Sequence, residues 1–451
     1  MFKNENKNQH IKNTYKSVLD AEKNTGIETF FTSAGGIGGK LRTVPEDFIV
    51  SEISKYPQKK EKGRFTIAEI TATNWETNGL VRELSNRLHI SRKRVGFAGT
   101  KDKRAKSTRL MSFHNISKND LATVKIKDVD IENIYESDHP VKIGCLLGNR
   151  FEIIVRGVSR GARSEQIQDV ISFINNNGGF PNFYGIQRFG VIRPITHVVG
   201  RYIVFNDFEN AVMSYIANPI EGEDEETYNL RDRLQKTHDF SEALNSYPKH
   251  LNFEKAMLNK LVIDSEDFVG ALKELPKNLL TMFVYAYQSY LFNRILSERI
   301  KRKLPLNKAI VGDAVLPIRK RIIDENAIII TERNIEKANK QILKGNAFVS
   351  GLLFGSDSVF SEGEMGEIEH NIIDSSGIDP RDFIIPEIPY ISSSGSRRPL
   401  LSSVNNLRFE FNEDSLNKDK LALTLKFELK KGCYATSLIR EFMKSDDIRS
   451  Y

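Results

Sequence analysis

The sequence predicts an α+β fold in which a largely helical middle interrupts a strand-rich core. Residues 148–158 and 421–432 alternate apolar and polar side chains, which is the period of a half-buried strand. Between about residues 190 and 392, apolar side chains recur mostly at helical spacing, with a few shorter strand-like runs. Two such different patterns in one chain indicate a domain inserted into a core whose two halves are distant in sequence.

This change of pattern divides the chain of 451 residues into four segments. We expect a polar N-terminal tail over residues 1–26, the first part of the core over 27–189, the insertion domain over 190–392, and the second part of the core over 393–451. No internal repeat occurs in the sequence. The two core segments must therefore meet in space to bury one common core.

The first core segment begins with strands and a helix. The glycine-rich residues 35–40 lack the spacing of a phosphate-binding loop and predict a flexible turn. Residues 41–53, after a Pro-Glu-Asp turn, and residues 64–73 have the alternation of strands. Thr77 is predicted to be the N-cap of a following helix with an apolar face.

The later elements follow the same two periods. After the strand at 421–432, a glycine turn leads into an amphipathic helix. Within the insertion we predict helices and then short strands, at residues 208–218, 228–237, 240–246 and 279–302, and at 327–332 and 347–354.

Composition narrows the class of protein. Lys and Arg number 66 against 59 Asp and Glu, a formal net charge of +7, which favours a polyanionic partner, although a solvated lysine-rich surface has the same composition. Cys145 and Cys433 are too distant for ligand spacing, so we expect neither a disulfide framework nor a zinc site. No stretch reaches the roughly 18 apolar residues of a spanning helix, so we expect a soluble cytoplasmic protein.

Asp102 is the main candidate for chemistry. It follows a small-residue turn and is surrounded in sequence by Lys101, Lys103, Arg104 and Lys106. Nearby positive charge keeps a carboxylate ionised, which suits a nucleophile or a charge stabiliser and not a general acid. A surface salt bridge has the same local pattern and is the commoner explanation of a charge-dense loop.

Residues 181–190 combine three aromatic side chains with Asn182, a glutamine and an arginine. Such side chains can stack on an unpaired base and read its edge. An aromatic turn packed into the core is an equally good explanation. This second cluster strengthens the case for Asp102 only if the two lie close together.

Three further clusters are less specific. Residues 283–294 have aromatic side chains at helical spacing, which favours core packing. Residues 392–400 form a Ser- and Gly-rich loop with two adjacent arginines, which could contact phosphate or lead the chain back into the core. Residues 432–442 place Tyr434 at a predicted helix N-terminus, where ordinary capping is the alternative to binding. Scattered histidines give no support for a histidine base.

Seven motifs in one order resemble the TruD family of tRNA pseudouridine synthases. They span nearly the whole chain after the tail, so the combination is far more specific than any single motif. They are PEDFIVSE (45–52), GFAGTKDKRA (96–105), GNRFEI (148–153), PNFYGIQRFG (181–190), AYQSYLFN (286–293), GSRRPL (395–400) and GCYATSLIRE (432–441).

The resemblance implies a pseudouridine synthase core with a mixed, mostly antiparallel sheet and flanking helices, interrupted by an α/β TRUD insertion domain. It also implies isomerisation of a uridine to pseudouridine, typically uridine 13 of tRNA. We therefore expect tRNA as the partner, neither cofactor nor metal, no membrane association, and a monomer.

For the site, the resemblance transfers the catalytic role to Asp102 of the Lys-Asp motif and a substrate-binding role to Lys101. It implies that Asn182 is an active-site amide and that Tyr184 is the aromatic ring at the base. Tyr434 is a weaker transfer, as a ring that lines the pocket.

The chain departs from the family at Arg109, where the family usually has glutamine. An added charge near the site is expected to alter local RNA contacts or the packing of the loop.

Basic residues near these motifs are candidates for contacts to the RNA backbone, with simple solvation as the alternative. They are Arg92, Lys93, Arg94, Lys103, Arg104, Arg397 and Arg398. A non-enzymatic RNA-binding or RNA-chaperone protein would use the same surfaces, and it remains the second hypothesis. A phosphate-loop nucleotide hydrolase fails on motif spacing.

Overall fold

The structure is a computed structural model that describes residues 18–319 and 322–451. Most of the predicted N-terminal tail, residues 1–17, lies outside the described residues. The part of the tail that is described is packed against the protein: Glu22 and Thr25 are fully buried.

Within the described residues the strands form three sheets. Their bounds are given in chain order. They are β1 (Phe48–Ser54), β2 (Phe65–Thr73), β3 (Val95–Phe97), β4 (Lys106–His114), β5 (Val129–Ser137), β6 (Leu146–Val158), β7 (Phe180–Pro181), β8 (Ala314–Arg319), β9 (Ile322–Ile323), β10 (Ile328–Ile329), β11 (Ala347–Leu353), β12 (Ser396–Pro399), β13 (Leu401–Ser402), β14 (Val404–Glu413) and β15 (Leu421–Lys430).

The helices concentrate in the middle of the chain. They are α1 (Asp20–Lys23), α2 (Thr77–Arg87), α3 (Lys118–Thr123), α4 (Ser164–Asn176), α5 (Thr196–Val204), α6 (Phe208–Ile216), α7 (Glu225–Thr237), α8 (Phe240–Ser246), α9 (Asn252–Ile263), α10 (Phe268–Lys273), α11 (Lys277–Lys301), α12 (Ile335–Leu343), α13 (Gly363–Ser375) and α14 (Ala435–Met443).

The core contains an eight-stranded sheet with the order β14-β15-β6-β1-β4-β2-β5, and β3 pairs with β4. Only β1 and β4 run parallel among these neighbours; the other pairs are antiparallel. The mixed, mostly antiparallel sheet is therefore confirmed. Strands from both ends of the chain form it, because β15 pairs with β6 over most of its length.

Helices cover the sheet where its strands present apolar side chains. Ile153 and Leu425 pack with residues of α4 and α14 in one hydrophobic cluster. Ile70 packs with Leu80 and Leu84 of α2 in another. The alternation that predicted β6 and β15 thus results from one strand face that is covered by helices.

The insertion has its own core, in which the middle of α11 is largely buried. Phe283, Tyr287 and Phe292 of α11 are at most 2% exposed, as the preference for core packing predicted. A five-stranded sheet with the order β10-β8-β11-β12, with β9 beside β8, packs on this helical body. Strand β12 pairs with β11, although the sequence predicted a return to the core from residue 393.

The chain leaves and re-enters the core at one place. Strand β7, before the insertion, pairs with β13, after it, so that Phe180 lies opposite Ser402. The backbone N–H of Asn182 also donates to the carbonyl oxygen of Leu400 at 2.8 Å. The two crossing points are thus joined by hydrogen bonds.

The first helix of the core begins differently from the prediction. The side chain of Glu76, not Thr77, caps α2 by accepting from the backbone N–H groups of Asn78 and Gly79. A glutamate reaches two free N–H groups of the first turn with both carboxylate oxygens. The hydroxyl of Thr77 is left for contacts at the site described below.

Candidate active site

A cavity of about 250 Å³ opens beside the middle of the eight-stranded sheet. One wall includes Val50, Ser107 and Phe151, which share a face because Val50 pairs with both of the others. Another includes Tyr434, at the N-terminus of α14, and Asp102 also lines the cavity. The cavity therefore forms where the two halves of the core meet.

Asp102 forms an ion pair with Arg42, whose Nη2 atom donates to Oδ2 at 2.9 Å. The side chain of Asp102 is 62% exposed, whereas that of Arg42 is only 14% exposed. The guanidinium also lies 4.2 Å from the ring centroid of Phe48, a cation–π contact. Burial lowers the pKa of Arg42, and the carboxylate of Asp102 opposes this shift. A partly buried cation thus holds a carboxylate that remains open to solvent.

The side chain of Lys101 points to a buried carboxylate. Its Nζ atom lies 2.6 Å from Oε1 of Glu52, and the two side chains are 6% and 2% exposed. Burial lowers the pKa of Lys101, and the charge of Glu52 opposes this shift. Glu52 also accepts from the backbone N–H of Leu110 at 3.2 Å. Lys101 therefore ties the loop that carries Asp102 to strands β1 and β4.

Arg109, the departure from the family pattern, is buried beneath the same loop. Its Nη1 atom donates to Oγ1 of Thr77 at 2.8 Å, and Nη2 donates to Oγ of Ser107. The backbone N–H of Lys101 donates to the same Thr77 oxygen at 2.8 Å. Arg109 is 1% exposed, so its guanidinium takes part in the packing of the loop.

Asn182 and Tyr184 lie beside the cavity and hold Arg398 between them. Oδ1 of Asn182 accepts from Nη2 of Arg398 at 2.7 Å, and Nδ2 donates to the carbonyl oxygen of Pro399 at 2.9 Å. The Arg398 guanidinium lies 4.1 Å from the ring centroid of Tyr184. Both ends of the Asn182 amide are therefore engaged within the protein, which gives it the role of orienting Arg398.

Tyr434 connects this group to Asp102. Its ring meets that of Tyr184 edge to face, with centroids 5.9 Å apart. Burial raises the pKa of Tyr434, and the negative charge of Asp102 contributes in the same direction. The aromatic pair predicted from the sequence thus lies next to the predicted carboxylate.

The predicted RNA-binding residues divide by exposure. Lys103 and Arg104 are exposed on the loop of Asp102, and Nη2 of Arg104 donates to the carbonyl oxygen of Thr43 at 3.2 Å. Arg92 and Lys93 are exposed on the 3-10 turn before β3. These four side chains are accessible to a polyanion.

Three of the predicted contacts are directed into the protein instead, and the first is Arg398, which donates to Asn182 and to the backbone carbonyl oxygen of Gly432. Arg94 donates to the backbone carbonyl oxygens of His114 and Asn115. Arg397 forms an ion pair with Glu369, in which the side chains are 6% and 0% exposed. Their guanidinium groups satisfy internal acceptors, so their positions are not those expected of contacts to an RNA backbone.

Sequence reasoning missed several residues in or beside the cavity. Arg42 and Glu52 gave no local signal, because their partners lie far along the chain. Asn149 lies in a recognised motif and Gln187 in the aromatic cluster 181–190, but neither was given a specific role, although both line the cavity. Buried, unpartnered amide atoms distinguish them in the structure.

Neither a metal centre nor a membrane span is found within residues 18–319 and 322–451. In that part of the chain, no group of three or more His, Cys, Asp or Glu side chains could hold a metal ion. No helix there is both long and apolar enough to cross a bilayer. The chemical groups at the cavity are a carboxylate, cations, amides and aromatic rings, which suit a carboxylate-based reaction on a flat, polar substrate.

A comparison with protein families gives one match. The family model described as tRNA pseudouridine synthase D (TruD) matches residues 24–442, which is most of the chain.

Curated relatives and a solved structure agree with this match. The probable tRNA pseudouridine synthase D of Methanococcoides burtonii is 42% identical over 437 residues, which cover 96% of this chain and 99% of the relative. That of Thermococcus sibiricus is 36% identical over 425 residues, 92% of this chain and 97% of the relative. The crystal structure of the putative TruD from Methanosarcina mazei superposes with a TM-score of 0.85 at 39% identity, covering 96% of this chain and all of that one.

Proposed function

Because this chain belongs to the tRNA pseudouridine synthase D (TruD) family, we propose that it isomerises uridine 13 of tRNA to pseudouridine, with Asp102 as the catalytic carboxylate. The observation that carries the role of Asp102 is its ion pair with Arg42 beside the cavity. A carboxylate that is open to solvent and held by a partly buried cation is positioned for a reaction on a sugar.

The reaction exchanges one bond of the sugar for another. The bond between C1′ and N1 of uracil breaks, a bond between C1′ and C5 forms, the proton on C5 leaves, and N1 gains a proton. Asp102 can act as a nucleophile on the sugar or as a base that removes a sugar proton to give a glycal. Both routes need a carboxylate next to the sugar, and the hydrogen bond from Arg42 holds that of Asp102 in place.

The detached uracil must stay bound while it turns. The cavity holds about 250 Å³, below the roughly 300 to 1,000 Å³ of drug-sized sites, so it suits one base better than a larger ligand. Tyr434 supplies an aromatic wall, supported from behind by Tyr184 and Arg398. These contacts would restrain the ring without fixing one of its orientations.

A paired or stacked uridine must leave the RNA helix before it can enter the cavity. Such base flipping costs a few kcal/mol, which contacts to the RNA backbone have to offset. The exposed cations Lys103 and Arg104 beside Asp102, with Arg92 and Lys93 nearby in sequence, are the groups we assign to this role. Binding should therefore weaken steeply with salt.

Substitution of Asp102 by asparagine tests the catalytic assignment. The variant should bind tRNA as the unmodified protein does but release no tritium from tRNA that is labelled at C5 of uridine. Release at the normal rate would show that Asp102 is not the catalytic group.

Mapping of pseudouridine in tRNA from cells with and without the gene tests position 13. Loss of the modification at that position alone is the expected result. Unchanged pseudouridine, together with tRNA binding by the purified protein, would instead support the non-enzymatic RNA-binding hypothesis.

A further inference from the structure

Two amide atoms at the cavity have no hydrogen-bond partner among the described residues. They are Nε2 of Gln187, a donor, and Oδ1 of Asn149, an acceptor. Both residues line the cavity that Asp102 also lines. Buried polar atoms are nearly always paired, because an unpaired one loses its hydrogen bonds to water without replacement. A donor and an acceptor left open in one small cavity indicate a ligand with the complementary pair.

The fold fixes the backbone position of both residues and one end of the Gln187 amide. Gln187 lies in the 3-10 turn Ile186–Arg188, and its Oε1 atom accepts from Oγ1 of Thr436 at 2.9 Å. That contact uses one end of the amide and leaves the Nε2 donor open. Asn149 lies on β6 opposite Glu52 of β1, two residues before Phe151 and on the same face of the sheet. Neither side chain depends on a flexible loop.

Uracil presents the complementary groups on one edge. Its N3–H is a donor, flanked by the carbonyl oxygens at C2 and C4, which are acceptors. We propose that Asn149 accepts from N3–H while Gln187 donates to an adjacent carbonyl oxygen, so that the two residues recognise uracil by its edge. This inference rests on the proposed function. Cytosine would place an unprotonated N3 against the Asn149 acceptor and is therefore disfavoured.

The same pair serves both stages of the reaction. A half turn of uracil about its N3–C6 axis exchanges N1 with C5 and the carbonyl at C2 with that at C4. N3–H stays on the axis, so its bond to Asn149 persists, and a carbonyl oxygen faces Gln187 before and after the turn. Two fixed hydrogen bonds can therefore retain the base without opposing its rotation.

From the sequence, Asn182 was the amide expected to bind the base, but its hydrogen bonds in the structure do not favour that role. Both ends of the Asn182 amide are engaged, by Arg398 and by the carbonyl oxygen of Pro399. Gln187 and Asn149 have the open atoms.

The first test is Gln187→Glu, which keeps the acceptor for Thr436 and replaces the donor by an oxygen. Turnover of C5-tritiated tRNA should fall about 100-fold, while the Kd for tRNA stays within about twofold, because backbone contacts dominate binding. Gln168→Glu makes the same chemical change at an exposed position of α4 and should leave both quantities unchanged. Equal turnover in Gln187→Glu and the unmodified protein would overturn the inference.

The second test pairs a protein change with a substrate change, so that each protein serves as its own reference. In tRNA that carries 3-methyluridine at the target position, N3 has no hydrogen to donate, and the unmodified protein should lose most of its turnover. In Asn149→Ala the same methyl group should cost much less, because the acceptor is gone. Equal losses in the two proteins would contradict the role of Asn149. If the unmodified protein releases no tritium from ordinary tRNA, the proposed function itself fails, which is a separate result.

Discussion

Arg42 donates a hydrogen bond to Asp102 across sixty positions of sequence, with 2.9 Å between Nη2 and Oδ2. The four cations that surround Asp102 in sequence make no such contact in the structure: Lys101 turns to Glu52, and Arg104 to a backbone carbonyl. The charge that stabilises the carboxylate therefore comes from a distant residue.

This ion pair predicts the effect of removing Arg42. Arg42→Met should reduce single-turnover tritium release about 100-fold, because the carboxylate loses a preorganised donor. Arg42→Lys keeps the charge and should be less impaired. Arg150→Met, which removes an exposed arginine paired with Glu428, serves as the control and should retain full turnover. Normal turnover in Arg42→Met would show that catalysis does not need the ion pair between Arg42 and Asp102.

Arg397 is predicted to matter for stability and not for binding. Arg397→Met leaves the buried carboxylate of Glu369 unpaired and should lower the free energy of unfolding by about 3 to 5 kcal/mol, measured by urea denaturation. Arg381→Met removes an arginine that is 91% exposed and should change it by less than about 0.5 kcal/mol. A fully stable Arg397→Met protein with weakened tRNA binding would restore the original prediction of an RNA contact.

Lys103 is predicted to contact RNA by charge alone. Lys103→Gln should weaken tRNA binding and lower the slope of log Kd against log salt by about one. The matched change Lys337→Gln, on the exposed surface of α12, should alter neither. An unchanged slope for Lys103→Gln would mean that its ammonium group is merely solvated.

His197 predicts a pH dependence of stability. It is stacked on Tyr290 and packed edge-on against Phe189, and burial lowers its pKa from 6.5 to about 4. In the unfolded chain His197 is protonated below pH 6.5, whereas in the folded chain it is protonated only below about pH 4. Stability from this residue is thus complete above pH 6.5 and falls by about 2 kcal/mol at pH 5.

The variant His197→Phe isolates this contribution from that of the carboxyl groups. Urea denaturation at pH 7.5 and pH 5 should show a smaller loss of stability in the variant than in the unmodified protein. The same loss in both proteins would mean that His197 is protonated inside the fold.

The close packing around Gly185 in the cavity wall predicts the effect of replacing this glycine by alanine. A Cβ atom there would lie 2.7 Å from Oγ1 of Thr436 and 3.0 Å from Oε1 of Gln187, although the backbone angle itself suits alanine. Gly185→Ala should therefore displace the Gln187 amide and reduce turnover with little change in tRNA affinity. Gly161→Ala, in an exposed turn with ordinary contacts, is the control. Unchanged turnover in Gly185→Ala would show that the amide tolerates displacement.

Local pattern was enough to predict much of the fold. The strand predicted at 421–432 corresponds to β15, and the helix predicted after the glycine turn corresponds to α14. Both could be recognised because one face of each element is buried. Helix α11 was predicted within two residues at each end. Strands of two residues, such as β7 and β13, have too short a pattern to be recognised in this way.

The site was less predictable, because its contacts join distant parts of the chain. Asp102, Tyr184 and Tyr434 were singled out and lie together, but the orientation of a side chain cannot be read from its neighbours in sequence. Asn182 and Arg397 have suitable chemical groups for binding, yet internal partners engage them. The pairing of β1 with β6 brings Asn149 to the cavity. The register of this pairing cannot be predicted from the local sequence of either strand.

The pairing of β7 with β13 makes the insertion a closed loop in the topological sense. Its two ends are adjacent, so the domain could lengthen or shorten during evolution without shifting the register of the eight-stranded sheet. The same junction carries Asn182 on its outgoing side and Arg398 on its returning side. Through Arg398 and Tyr184, the junction of the insertion domain is therefore in contact with the aromatic wall of the cavity.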